Sequence, residues 1–357
     1  MTEKGKIMKF FRSKKSQWKL LLAAVLIYAL FYIPVPYFIT MPGSAVELNT
    51  IIEVEDGNQQ SGEFMFTTVS MIQASFPSLI YSKFNSYMET IPEEYILDEN
   101  ESQEDYANRQ LKVMKQSQDD AIISAFNYLN VPIEIKEKGI IVMGLTPDTP
   151  SKEVLKVGDL IVQVDNLPMK KVEDLLDYLK SKQAGEIIEV VFVRDNKTYT
   201  EEIPLISLSQ NENSTSDRIG IGFYPYNERE VIPSKEVIFK TDEIGGPSAG
   251  LMFALEIINQ LSAEDLTRGY EIAGTGTIDS NGVVGQIGGA RLKVKAAYEK
   301  GVDIFFVPKD IYQGDTNQFD AKQANKDLGK PMEVVPVANL EEAIEYLNSL
   351  PKKTAPN

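Results

Sequence analysis

Two short clusters hold the residues best placed to do chemistry. The first, Gly245-Gly246-Pro247-Ser248-Ala249-Gly250, sets a serine hydroxyl on a turn just ahead of the apolar run Leu251 to Leu261. Glycine lets the backbone turn sharply, Pro247 suits a helix start, and a run apolar around most of its circumference reads as a buried helix. Ser248 is thus expected at or near a buried helix N-terminus, where unpaired N–H groups can donate to the oxyanion formed when a serine attacks an amide carbonyl. Read alone, the same serine is an N-cap, the usual task of Ser ahead of a helix.

The second cluster runs Gly285-Gln286-Ile287-Gly288-Gly289-Ala290-Arg291-Leu292-Lys293-Val294-Lys295-Ala296-Ala297, a glycine turn leading into a helix that Gly301 ends. Helical spacing separates its two central lysines. Lys293 shares a face with Ala290, Ala296 and Ala297, whereas Lys295 shares one with Arg291, Leu292, Tyr298 and Glu299. The small apolar face packs closely, so Lys293 is the expected buried amine. Desolvation lowers a lysine pKa towards neutrality and lets the amine take a proton from a serine hydroxyl.

Composition narrows the alternatives. The 357 residues contain no His and no Cys, which removes imidazole and thiolate catalysis, disulfides, and zinc sites built on those side chains. Neither cofactor nor metal is expected. With 43% hydrophobic and 25% charged residues the chain is globular and long enough for two or three domains. Residues 1–19 hold seven Lys/Arg and one Glu, about +6, so the body carries about −22 of the total −16. Such an acidic body is a poor nucleic-acid binder.

Together the two clusters resemble the proteolytic domain of Lon-type peptidases, in which a Ser in a Gly-Pro-Ser-Ala-Gly turn and a Lys after a Gly-Gly turn form a dyad. The resemblance covers residues 237 to 350 and implies Ser248 as nucleophile and Lys293 as general base, with Gly246 and Pro247 in the turn that meets substrate. It also puts Thr275, in Thr275-Gly276-Thr277-Ile278, where the family has a threonine bonded to the lysine; a Thr at a strand end is equally an ordinary turn residue. Gly245 departs from the pattern, which often has Asp there. No G-x-x-x-x-G-K-[ST] phosphate loop occurs in the sequence, so action without ATP is expected.

Residues 131–206 form a compact unit: strand Gly139-Ile140-Ile141-Val142, a turn, Lys156-Val157-Gly158-Asp159-Leu160-Ile161, a helix from Val172 to Lys182, and a strand from Ile187 to Arg194. This order resembles a PDZ domain of the bacterial protease-associated kind. The resemblance implies that Gly139, Ile140, Ile141 and Val142 receive a peptide by strand addition; the other reading is an ordinary core strand.

Leu20 to Val46 contains no charged residue, and Leu20 to Ile33 is continuously apolar or aromatic. This reads as a membrane-spanning helix over 20–40, with a cleaved signal peptide or a buried helix as alternatives. The basic residues before it keep the N-terminus cytoplasmic and the rest outside the cell.

The expected architecture is α+β: a basic tail (1–19), one transmembrane helix (20–40), a β/α segment (41–130) packing with the protease domain or part of it, the PDZ domain (131–206), a polar linker (207–217), a Lon-type α/β proteolytic domain (218–350) and a tail (351–357). The order anchor, PDZ, Lon-like domain resembles the membrane-bound serine peptidases of Gram-positive bacteria. That implies an extracellular peptide or protein substrate, such as a secreted signalling pheromone, contact with membrane lipid, and a homo-oligomer as a further possibility. The rival from another class is a non-catalytic, membrane-tethered PDZ receptor or chaperone.

Overall fold

The computed structural model describes residues 17–353 apart from 20, 23–24, 26–27, 29–30, 32, 59, 98–100, 147, 209–217, 242–243 and 330–331. Its strands in chain order are β1 (Tyr37–Glu47), β2 (Ile52–Val54), β3 (Glu63–Gln73), β4 (Glu89–Pro92), β5 (Ile133–Leu145), β6 (Leu160–Val164), β7 (Leu167–Pro168), β8 (Ile187–Arg194), β9 (Lys197–Pro204), β10 (Ile206–Ser207), β11 (Ile219–Gly220), β12 (Phe223–Pro233), β13 (Val237–Phe239), β14 (Glu271–Gly274), β15 (Thr277–Ile278), β16 (Val284–Gly285), β17 (Ile304–Pro308) and β18 (Glu333–Val337). The helices are α1 (Phe76–Ser82), α2 (Gln103–Leu129), α3 (Ser151–Val154), α4 (Val172–Leu179), α5 (Gly250–Leu261), α6 (Ala290–Lys300), α7 (Asn317–Asp327) and α8 (Leu340–Ser349).

Apolar strands long enough to be covered on both faces build the central layer, a mixed sheet ordered β18-β17-β14-β3-β1-β4. β3 runs parallel to β14 and antiparallel to β1, so strands from before residue 75 and after residue 270 lie side by side. One core unites Leu48, Phe64 and Phe126 with Phe253, Leu255, Phe306 and Leu347. A second, on the opposite face, joins Met65 and Phe305 to Val294 of α6 and Ala324 of α7. The early segment is therefore part of the domain that carries Ser248 and Lys293, not a separate piece ahead of it.

The PDZ-like unit sits between these two halves with its own core, which includes Ile140, Ile161, Leu175, Val190 and Phe192. Its sheet is ordered β12-β5-β6-β8-β9. The expected boundary at 206 needs correction, because β12 (223–233) pairs with β5 from Phe223↔Leu145 to Pro233↔Ile133. Most of the expected linker, 209–217, lies outside the described residues.

Helix α2 answers to a polar, sparsely apolar sequence, yet Ser102 caps it with Asp105 in a capping box and its C-terminal half is buried. At 1.5 Å per residue it spans about 40 Å. Arg229 of β12 donates to Asp120 of α2 at 2.6 Å, fixing the β5–β12 ribbon to the domain that carries Ser248 and Lys293.

The described positions 17–19, 21, 22, 25, 28 and 31 are helical. Among the described residues no helix is long and apolar enough to cross a membrane. The expected span of 20–40 ends too late in any case, since Tyr37 already begins β1.

Phe66 of β3 is 2% exposed and meets Phe253 of α5 edge-on at 5.6 Å. Phe66→Ala is expected to cost about 3–5 kcal/mol in chemical unfolding of the domain built on this sheet. A loss below about 1 kcal/mol would argue against β3 as the centre of that sheet.

Candidate active site

Ser248 stands two residues ahead of α5, and Ala249 takes the N-cap place with no side-chain bond to the helix. The N-cap reading of Ser248 is thereby replaced. Its Oγ instead lies 2.5 Å from Lys293 Nζ. The turn that presents it is held from two sides. Gly246, at φ +93°, a region L side chains avoid, donates its N–H to Gln110 O of α2 at 3.0 Å, and Ser117 Oγ of the same helix donates to Pro247 O at 3.0 Å. A Cβ on Gly245 would come within 2.6 Å of Gln110 Cβ, so the Asp common in the Lon-type pattern has no room against this α2.

On the opposite side, Ser248 O accepts from Gly276 N at 2.8 Å and from Thr275 Oγ1 at 3.0 Å. Thr275, 0% exposed, lies 3.0 Å from Lys293 Nζ. Its single hydroxyl proton is committed to Ser248 O, so towards the lysine its oxygen can only accept. One amine N–H is drawn to Thr275, which turns the lone pair of a neutral amine towards Ser248 Oγ. Thr275 is thus more than an isolated turn residue: it is a positioning residue between the turn and the lysine.

Lys293 belongs to α6, whose N-cap Gly289 has φ +71°. The helix buries Ala290, Ala296 and Ala297 beside it and leaves Lys293 2% exposed. Lys295 instead is half-buried, in an ion pair with Glu299 at 3.1 Å. Desolvation alone brings the Lys293 pKa down to about 7.

The expected first-turn oxyanion donors are partly engaged. Leu251 N donates to Gly276 O at 3.1 Å and Gly250 N reaches Pro247 O at 3.4 Å. The N–H groups of Ser248 and Ala249 have no partner among the described residues, which makes them the free donors nearest the hydroxyl. Beside the turn opens a cleft of about 410 Å³ whose walls include Pro247, Thr277 and Gly285 of the domain that carries the turn and Glu173, Tyr226 and Asn227 of the PDZ-like unit.

The strand expected to receive a peptide requires correction. Gly139, Ile140, Ile141 and Val142 pair with β12 on one side. On the other, Ile140 and Ile141 pair with β6, and Val142 N donates to Asp159 O. This is an inner strand with no edge to offer. The outer strand is β12, flanked by α4 through a 2.6 Å bond from Val172 N to Asn227 Oδ1. The alternation Ile219-Gly220-Ile221-Gly222-Phe223 leading into it was the available signal, and the linker reading of the preceding residues obscured it. The role of α2 in gripping the turn had no signal at all, because Gln110 and Ser117 are ordinary polar residues until the fold brings them to residues 246 and 247.

Comparison with known proteins follows the same division. Residues 242–349 match the family model of the Lon protease (S16) C-terminal proteolytic domain, and residues 115–205 match that of the PDZ domain. The chain is 32% identical over 151 residues to the Lon protease of Mesomycoplasma hyopneumoniae, covering 42% of this chain and 16% of that protein. It is 27% identical over 173 residues to the Lon protease of Mycoplasmopsis agalactiae, covering 48% and 16%. The chain thus spans about a sixth of the length of these curated relatives. Among solved structures, the PDZ domain of an SdrC-like protein from Listeria monocytogenes is 28% identical, covering 24% of this chain and 86% of that one, with a TM-score of 0.22.

The site makes two predictions. A lysine acting as base must be neutral, so labelling of Ser248 by a serine-directed phosphonate should rise with pH through about 7 and fall away below it; a rate independent of pH from 5 to 9 would refute Lys293 as the base. Thr275→Val keeps the shape but removes the acceptor, and should slow labelling by about 10–100-fold, with Thr275→Ser restoring most of it.

Proposed function

We propose that this protein is an ATP-independent serine endopeptidase acting outside the cell membrane on secreted or surface peptides, tethered by its N-terminal apolar segment. The observation that carries the catalytic reading is the 2.5 Å approach of a 2%-exposed lysine amine to Ser248 Oγ. Burying a lysine is costly unless the neutral form is the useful one. The matches of residues 242–349 and 115–205 to a Lon proteolytic domain and a PDZ domain support a protease that handles peptide chains.

Chemistry follows from the geometry. Neutral Lys293 takes the hydroxyl proton as Ser248 Oγ attacks the scissile carbonyl, and the N–H groups of Ser248 and Ala249 meet the negative charge on the carbonyl oxygen. The protonated amine then delivers that proton to the leaving nitrogen, releasing one peptide and leaving the other as an ester on Ser248. Water, deprotonated by the again-neutral lysine, cleaves the ester and restores the hydroxyl. Thr275 keeps the amine aimed throughout. In this reading the PDZ-like unit positions substrate along the outer edge of β12, and the cleft between Tyr226, Asn227 and Pro247 leads from that edge to the catalytic turn. A secreted signalling pheromone is the substrate class that the domain order favours.

The reading is tested by mass spectrometry of a pool of secreted peptides incubated without ATP with the wild-type protein, Ser248→Ala and Lys293→Met. Cleavage should disappear in both variants, a loss on the order of 10⁴–10⁶-fold. Lys293→Met should also unfold at a higher temperature than wild type at pH 6, because it removes the cost of a buried amine that is protonated there. Peptide bound and released intact by the wild-type protein would favour the receptor reading instead.

A further inference from the structure

Helix α1 is a seven-residue helix that turns its apolar face outwards. Phe76 and Ile80, four residues apart, are 51% and 52% exposed, Tyr81 is 60% exposed, and Phe84, four residues on from Ile80, is 85% exposed. Nothing in the chain covers this row among the described residues, although Ser75 and Ser78 close the helix start in a reciprocal pair of bonds. Side chains so large and contiguous in water mark a surface that meets something else.

Its place in the fold says what. Val35 N donates to Ala74 O at 3.0 Å, Ala74 N to Tyr37 O at 2.8 Å, and Gln73 Nε2 to Val35 O at 2.7 Å. The chain is thereby pinned at residue 35 to the end of β3, directly before α1. Phe31 is still helical, and only residues 32–34 separate it from the pinned Val35, a reach of at most about 14 Å. Along the preceding helical stretch Trp18, Leu21, Leu22, Val25, Tyr28 and Phe31 are between 56% and 72% exposed. The last described helical position of the apolar segment thus lies within a few residues of the domain. Whatever bilayer holds that segment must abut the surface around Val35, and α1 lies there. Lys83 is the one charged residue from Phe76 to Phe84, and a lysine among aromatics suits the headgroup boundary.

We infer that α1 and Phe84 form an interfacial wedge that dips into the outer membrane surface beside the anchor and sets the orientation of the catalytic domain. The inference rests on the anchored reading above. It has a consequence for the site, since the segment after the wedge touches the catalytic helix: Arg291 Nη2 donates to Ser86 O at 3.5 Å and Lys295 Nζ lies 5.5 Å from the Tyr87 ring centre. Seating the wedge holds α6, and with it Lys293, at a fixed height over the bilayer.

The absence of native cysteine permits a direct test. Phe84→Cys and Ile80→Cys, with Lys197→Cys at the exposed β8–β9 turn of the PDZ-like unit as control, are made in the full-length protein, labelled with an environment-sensitive fluorophore and reconstituted into phosphatidylcholine–phosphatidylglycerol vesicles. Labels at 84 and 80 should shift to shorter wavelength and lose emission to nitroxide-bearing lipids, while the label at 197 does neither. Protein that floats with the vesicles while position 84 behaves like 197 overturns the wedge and leaves the anchor standing. Protein that does not float removes the anchor and the wedge together. Label at 84 that is shielded by self-quenching, rising with protein-to-lipid ratio and insensitive to nitroxide lipids, assigns the face to a second copy of the chain and overturns the inference.

Discussion

The catalytic domain is organised around a single unfavourable act, the removal of the Lys293 amine from water. An ammonium in that position would forfeit its hydration with no carboxylate among the described residues to replace it, and burial alone brings the pKa down to about 7. Dryness requires close packing around the amine, leaving only the hydroxyls of Ser248 and Thr275 as its polar neighbours, which explains the run of small residues along one side of α6. Ala290, Ala296 and Ala297 let the helix lie close to the sheet, so that a long side chain can end inside the protein rather than at its rim.

Placing the hydroxyl against that amine takes contacts from distant parts of the chain. α2 holds Gly246 and Pro247 from one side, and the strand end at Thr275-Gly276 holds Ser248 from the other. Each contact ends on backbone of the turn, so the nucleophile's position is fixed without occupying its side chain. The sheet order sets the distance between these grips, since β14 beside β3 and β17 brings residues 275 and 276 to the N-terminal end of α5. Inserting the PDZ-like unit between α2 and β13 leaves this frame intact because its two connections, β5 and β12, leave and return as one paired ribbon.

Local signals in the sequence were strongest where a residue's neighbours along the helix decide its surroundings. The face shared with three alanines separates Lys293 from Lys295, and the structure buries the first and ion-pairs the second. Glycine turns marked where α5 and α6 begin. Long-range pairing left no such trace. Gly139 to Val142 reads as an apolar strand whether it is inner or outer, and only the return of β12, which sets Pro225 to Glu228 against it, makes it inner. The same holds for Ser248, whose type fits an N-cap as well as a nucleophile until Lys293, forty-five residues away, reaches its hydroxyl.

A chain without histidine has few bases that work near neutral pH, and the choice of lysine shapes what the enzyme can do. Imidazole would need a carboxylate partner to fix its tautomer and steady its positive form; a desolvated amine needs only a dry pocket and one acceptor to aim it, here Thr275. That economy fits a body that is otherwise strongly acidic, because a carboxylate near Lys293 would hold the amine protonated and disable it. The space a side chain at Gly245 would need is taken by Gln110, so that position of the turn cannot carry the one kind of group that would raise the lysine pKa again.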